Sequence, residues 1–535
     1  MFFKKHNNIL FFSIWRDKYI RRTISNNRLK NKVIPLGVGY LERNHEYFEL
    51  LDRSSFNILL EIVLDNIELQ SLIKSEYSSL IDSLNIDLCK AEHVKMWDQT
   101  VIFKLPFYLK RITLTTSLET RFDLKCLPNT LEYLSIALRK INVVGDLAPG
   151  TALKTLILHD CPANYLARLL MPTLEHLVLD SFQGELVLDT LPSNLKTLAV
   201  NHGRAPIGTP PDSLTDLRMN ERPIEALVNI TAPNKIYPNV VAKVDTPASF
   251  ELVSQLKWLT HIIISNATVV GTNRIPSHIR KLVFNQYNLP LPLNLLPRGL
   301  VSLEMGMFNQ TLVKKAFPAH LKTLILPHFN TPVEKGVFPV ALESLSVAAC
   351  LYPLDLPPQL KEITLTHLCV LPPNPPRTLK TLIVKGGRGG EIDIPKNSIP
   401  PFISTLILQG EIKVDSFHLP LPTIRAIHFQ RTTSIRLSLP TELIPPSVTD
   451  LSIDNHICIS PMIPNSVEKL LITEFSNRCN LPASLKRLDI TASDFVYEPY
   501  VGHYIPINLT QVKENLRSSI KNPSCTIKIN GIFYQ

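Results

Sequence analysis

One pattern, P-x-x-L-x-x-L-x-[ILVMF], recurs along the chain at nearly constant intervals and limits what it can fold into. It reads PFYLKRITL at Pro106–Leu114, PNTLEYLSI at Pro128–Ile136, PSNLKTLAV at Pro192–Val200, PSHIRKLVF at Pro276–Phe284 and PASLKRLDI at Pro482–Ile490. From Pro276 to Pro339 the step is 21 residues three times running, and elsewhere it ranges from 18 to 24. Close variants start at Pro149, Pro172 and several later prolines, so that about eighteen rungs align. One interval, Pro211 to Pro276, is 65 residues, close to three periods. Inside it, Leu259-Thr-His-Ile262-Ile-Ile264 reads as a rung without its proline. Two degenerate rungs, Leu59-x-x-Ile62-x-Leu64 and Ile81-x-x-Leu84-x-Ile86, precede the array.

The last two apolar residues of each rung are two apart, which is the strand period, so they share one face. A single strand of this length cannot bury that face. Stacking rungs side by side makes a parallel sheet and turns the apolar columns into a continuous core. About a dozen residues per period remain for the return, and they show no helical apolar spacing. The chain holds 43 prolines against 18 glycines. So many prolines fit only where the backbone owes no hydrogen bond, such as the bend before each strand. The spacing predicts a β-rich solenoid: a long parallel sheet on one face, extended or polyproline-like returns, few helices and a short helical N-terminal cap.

The rung LPRGLVSLEMGMFNQTLVKKAF (residues 296–317) places Gly306 and then Phe308-Asn309-Gln310 after L-P-x-x-L-x-x-L. This resembles the FNIP repeat, a member of the leucine-rich-repeat group, of the social amoeba type. Phe284-Asn285-Gln286 and Phe329-Asn330 read as partial matches. The resemblance implies a right-handed coil and a protein-binding role. The segment from Ile9 to Ile20 is similar to the hydrophobic-basic opening of FNIP proteins, and some proteins of this kind dock onto cullin-type ubiquitin ligases through an F-box. By that likeness Phe11, Trp15 and Tyr19 are candidate docking residues. The L-P opening of an ordinary F-box is not present in this segment.

Net charge is +10, and residues 1–44 hold ten Lys/Arg against two acids, a surplus of eight. The rest of the chain is close to neutral, so a basic balance speaks for the N-terminal arm and not for a nucleic-acid surface along the whole protein. The same arm leaves a second reading open: binding of nucleic acid or of an anionic membrane, with the solenoid as scaffold. For the segment itself the first reading is a helix covering the first rung, ahead of a docking helix and of a helix on an anionic membrane. The chain divides into a basic amphipathic segment (1–44), degenerate repeats or a cap (45–104), the repeat solenoid (105–495) and a C-terminal cap (496–535). In that cap a helix is expected from Thr510 to Ile520, followed by a hairpin across Asn530-Gly531. The eight cysteines form no C-x-x-C pair, and no apolar run reaches membrane-spanning length. A reducing, cytoplasmic setting is the expectation.

Catalytic and cofactor motifs are missing. The sequence has no GxxxxGK[ST], HExxH, GxSxG or EF-hand loop. His159-Asp160-Cys161 resembles a local triad, yet neighbours on a strand point opposite ways. The run Gly386 to Gly390 fits a looped-out turn in a long step. The chain therefore reads as non-catalytic, with no cofactor and with protein partners. The candidate binding face is the outward side of the sheet, between the apolar columns: Arg111, Tyr133, His176, Arg218, His261, Lys281, Glu304 and Ile325. Apolar residues at such positions, among them Ile157, Val178, Ile263, Val283, Ile383, Ile407 and Leu471, suggest a protein-binding stripe.

Overall fold

A computed structural model gives the fold. The structure describes residues 29–64, 75–87, 108–115, 120–348, 354–366 and 375–386 almost without gaps, residues 22 and 26 before them, and shorter stretches of 391–534. The chain forms two compact units, Met1–Val241 and Ala242–Gln535.

The rung from Pro128 to Ala137 shows how the repeat is built. The carbonyl of Pro128 accepts from the Leu131 amide at 3.1 Å, closing a turn over P-x-x-L. Proline at the first turn position supplies the carbonyl and is not asked for an amide. The same bond recurs from Pro192 to Leu195, Pro297 to Leu300, Pro376 to Leu379 and Pro482 to Leu485. At Pro149 and Pro172 the turn starts one residue earlier: Ala148 accepts from Thr151, and Met171 from Leu174. After the turn, the amides of Glu132 and Tyr133 both donate to the Lys110 carbonyl, at 2.8 and 2.9 Å. That shared acceptor sets the register, and the strand Tyr133–Ala137 then runs parallel to Arg111–Thr115. Leu131, Leu134 and Ile136 are fully buried, as the three columns require. The residue before the proline forms a fourth column, buried at Leu127, Leu191, Leu296 and Ile444.

In the first unit, Val33–Leu36, Leu59–Leu64, Ser83–Asp87, Arg111–Thr115, Tyr133–Ala137, Thr155–His159, His176–Asp180, Thr197–Val200 and Asp216–Pro223 pair in parallel, each with the next. The rungs expected at Leu59 and Ile81 are therefore present, and one more, Val33–Leu36, precedes them. A helical segment, Val38–Glu49, kinked at Asn44, follows that first strand and buries Val38, Leu41 and Phe48. Phe11, Trp15 and Tyr19 lie outside the described residues. Beyond the strand Asp216–Pro223, the 65-residue interval holds two more, Tyr237–Val244 and Leu259–Asn266. In the former, Tyr237 occupies the place of the first leucine and is fully buried, which hid the rung from a pattern keyed on aliphatics.

In the second unit the parallel ladder runs strand by strand from Leu259–Asn266 through Lys281–Gln286, Ser302–Met305, Thr323–Leu326, Ser344–Val347 and Glu362–Thr366. It continues to Arg487–Ile490 and Thr526–Ile529. Thr526–Ile529 then pairs antiparallel with Ile532–Tyr534, the hairpin expected across Asn530-Gly531. The helix expected at 510–520 lies outside the described residues. Returns are mostly extended, and some form short parallel ladders of their own, such as Thr120–Asp123 with Ile141–Val144. Some described returns carry a helix, among them Ala163–Leu169 and Pro247–Val253. In the second, Thr246 Oγ1 accepts from the Ser249 amide at 3.1 Å and Pro247 takes the first helical position, a capping signal that stands in the sequence.

The second unit also explains the Phe-Asn half of the repeat. Phe308 and Phe329 are fully buried, with ring centroids 6.1 Å apart and planes 10° from parallel. Asn309 Oδ1 accepts from the Asn330 amide at 2.8 Å, and Asn288 Oδ1 from the Asn309 amide at 2.9 Å. The residues equivalent to Phe308-Asn309 one rung earlier are thus Tyr287-Asn288. Phe284-Asn285-Gln286 is a false match: Phe284 pairs with Met305 in the third apolar column of the strand. Each of these rungs bends back through a left-handed residue, Asn294 (φ 79), Lys315 (φ 68) and Gly336 (φ 75). Only glycine occupies that region without steric cost.

Three stability changes follow, each measurable by urea unfolding. Phe308→Ala should cost about 3–5 kcal/mol by leaving a cavity in the stacked column. Asn309→Ala should cost about 1 kcal/mol, the net worth of the lost hydrogen bond. Lys315→Gly should gain about 0.5–1 kcal/mol by relieving the left-handed backbone; a loss there would contradict the shared turn.

Candidate partner-binding face

Alternation along each strand sends the two residues flanking the second apolar column outward. In the first unit the cross-strand register stacks Arg111, Tyr133, Thr155, His176, Thr197 and Asp216 in one outward row. Arg111 lies with its guanidinium carbon 3.9 Å from the centre of the Tyr133 ring. Its Nε is buried without a hydrogen-bond partner. Residue pairs 110–111, 132–133, 154–155 and 175–176 line one cavity of about 410 Å³ together with Asn31–Val33, Asn57 and Leu59. Rungs far apart in the ladder reach that one cavity, so the face of this unit curves inward. Arg111, Tyr133 and His176, named from the sequence, are thereby brought together. Arg218 is not among them. It is exposed and holds Asp216 of its own strand, Nε to Oδ2 at 2.7 Å, which keeps that carboxyl below its ordinary value.

The position just before each strand carries a second row. Along it, Lys110, Glu132, Lys154, Glu175 and Lys196 alternate in sign from rung to rung. Lys154 Nζ lies 3.0 Å from Glu132, and Lys196 Nζ 2.6 Å from Glu175. The hydrogen bond from Lys196 lowers the Glu175 carboxyl. In the second unit Lys322 and Lys361 flank Glu343 at 3.0 and 2.6 Å, with the same effect on it. The alternating sign along this row is the sequence signal for these cross-rung ion pairs.

In the second unit His261 and Lys281 pair in the first outward row, and Val283, Glu304 and Ile325 follow one another in the second. Farther along that second row Ile383 stands beside Ile407, and Leu471 is exposed. Ile263 departs from expectation: it is buried, at 8% exposure, between neighbouring rungs. Partial burial pushes the His261 imidazole down to about 4, and Lys281 adds in the same direction. His428 is lowered by burial as well.

His159, Asp160 and Cys161 form no triad. His159 Nδ1 lies 3.2 Å from Asp180 in the next rung, and the buried Cys161 thiol is pushed up to about 12 by burial. Among the described residues no three His, Cys, Asp or Glu side chains are grouped to hold a metal. Among them, too, no helix is long and apolar enough to cross a membrane. The loop at 387–390 lies outside the described residues.

Residues 308–347 match the FNIP Repeat family. That match begins at Phe308, where the stacked ring and asparagine ladder stand, and runs to Val347, the last core residue of a strand. The search of curated proteins finds no match. Among solved structures the chain is similar to CroV588, described as a novel circular LRR protein, at 16% identity and a TM-score of 0.41, covering 87% of this chain and 76% of that one. It is also similar to TLR13 in a complex with ssRNA13, at 15% identity and a TM-score of 0.38, covering 82% and 70%. YopM from Yersinia enterocolitica follows at 18% identity and a TM-score of 0.27, covering 74% and 82%. At these scores the neighbours bear on neither partner nor activity. The chain is a parallel β-solenoid whose residues 308–347 match the FNIP Repeat family.

Two measurements test the electrostatics of the face. A base whose folded pKa is depressed takes its proton first in the unfolded chain, so stability should be lost as pH falls from 6.5 toward about 4, the interval set by His261. His261→Asn should flatten that limb of a urea-midpoint profile; an unaltered profile would contradict a half-buried neutral imidazole. Cys161 should resist iodoacetamide in the native protein and react on unfolding, because burial withholds the thiolate.

Proposed function

We propose that the chain is a non-catalytic scaffold that binds another protein through the outward rows of its sheet. The observation that carries this reading is the contrast between rows. The buried columns hold apolar residues rung after rung, whereas the outward rows change type freely on the same ladder. Rigid strands presenting varied side chains favour recognition, since little ordering entropy is lost on binding. The neighbouring Ile383 and Ile407 add an apolar patch in a mostly polar row, as protein interfaces do. The candidate contacts Arg111, Tyr133, His176, Arg218, His261, Lys281, Glu304 and Ile325 all lie on outward rows.

A finer reading makes the protein a substrate-recognition subunit of a cullin-type ubiquitin ligase, docked through Phe11, Trp15 and Tyr19. Its support is confined to the likeness of the N-terminal segment to that of FNIP proteins. The surplus of positive charge in residues 1–44 favours the alternative, an arm that binds nucleic acid or anionic membrane, and steep salt dependence would mark it.

The test is affinity purification from cells of three forms: the full chain, Ile383→Asp/Ile407→Asp, and a form lacking residues 1–44. Partners lost from the double variant, with circular dichroism unchanged, would support the sheet-face reading. Full recovery of every partner by that variant would sink it for this patch. Cullin-ligase subunits recovered with the full chain and lost on truncation would support the docking role, and their absence from both would end it.

A further inference from the structure

We propose that the cavity in the first unit binds an acidic segment of a protein partner, with a partner carboxylate held by Arg111 and Lys110. The proposal rests on the protein-binding reading and adds a place and a chemistry to it. Two carboxylates line the cavity, and both are already engaged: Glu132 by Lys154 and Glu175 by Lys196. Lys110 and Arg111 have no acidic partner among the described residues. The lining is therefore positive on balance, with Lys110 and Arg111 adjacent on one rung and Lys32 on another.

Arg111 is also held in a form suited to a carboxylate. The guanidinium carbon lies 3.9 Å from the centre of the Tyr133 ring, a contact that restricts the side chain, and its buried Nε lacks an acceptor. A buried donor without a partner is uncommon and asks for one. A guanidinium already held against a ring offers a planar fork of N–H groups to a carboxylate, so less side-chain freedom is lost when the pair forms. A volume of about 410 Å³ takes a few side chains of an extended segment, not a folded domain.

The row that contains Lys110 argues against a nucleic-acid backbone. Glutamates stand at every second rung, at 132 and 175, where regularly spaced phosphates would meet them. A peptide can place one or two carboxylates at the cationic rung and leave the others uncharged.

The test is fluorescence anisotropy of the full chain with labelled hexaglutamate, hexaglutamine and an oligothymidylate as probes. Hexaglutamate should bind saturably and hexaglutamine should not. Arg111→Gln and Lys110→Gln should each weaken binding about tenfold, the scale of one lost charge-assisted pair. Arg111→Lys, which keeps charge but not the fork, should still weaken it about threefold. Lys361→Gln, in the second unit, should leave binding unchanged. Circular dichroism and urea midpoints establish that each variant folds. Wild-type affinity in folded Arg111→Gln would overturn the proposal, as would oligothymidylate binding tighter than hexaglutamate. If hexaglutamate fails to bind while partner capture persists, the proposal falls and the scaffold reading stands. If hexaglutamate binds as expected but the Ile383/Ile407 variant keeps every partner, the apolar patch falls and the cavity remains.

Discussion

Everything in this chain depends on a carbonyl shared by two amides. The Lys110 carbonyl accepts from Glu132 and Tyr133, that of Glu132 from Lys154 and Thr155, and that of Lys154 from Glu175 and His176. Each strand is too short to persist alone, and its register is fixed at the point where it meets the strand before it. With register fixed, leucine falls on leucine and the columns close. A slip of one residue would send each apolar column to the outward side, which is why returns of varied length and sequence can coexist with an exacting strand.

The proline is part of the same device. By opening the turn P-x-x-L it delivers the chain to the shared carbonyl at a constant offset, and it does so without leaving an amide unpaired. At Met171 the turn still closes on the leucine and only the proline moves one place, while at Ala148 it closes on Thr151, two residues before Leu153; the strands that follow still start in register, Thr155 against Tyr133 and His176 against Thr155. The turn absorbs the variation and the ladder does not.

What the sequence made legible follows from this division. Period-two apolar residues with a fixed leader mark a strand, so the solenoid, its core columns and even the degenerate rungs at Leu59 and Ile81 could be read directly. Tyr237 escaped because an aromatic stood in an aliphatic column. Phe284-Asn285-Gln286 misled because letters matched while register did not; Tyr287-Asn288 carries the role. The helix Val38–Glu49 shows only a few apolar residues at helical spacing, too weak a pattern beside the repeat. The outward rows were legible as rows. The cavity was not, since curvature is a small rotation summed over many rungs and no single rung encodes it. Nor was the engagement of each glutamate, which depends on which neighbouring lysine reaches it.

The alternating row at 110, 132, 154, 175 and 196 has an effect on how such an array can change length. Removing any one of the three inner rungs would bring two like charges to adjacent positions, about 4.8 Å apart across the sheet. Removing two successive rungs would restore opposite neighbours. The row thus gives this stretch a parity: gain or loss of repeats is electrostatically neutral in pairs and penalised singly. A solenoid whose apolar core would accept any number of rungs is held by its surface to even steps.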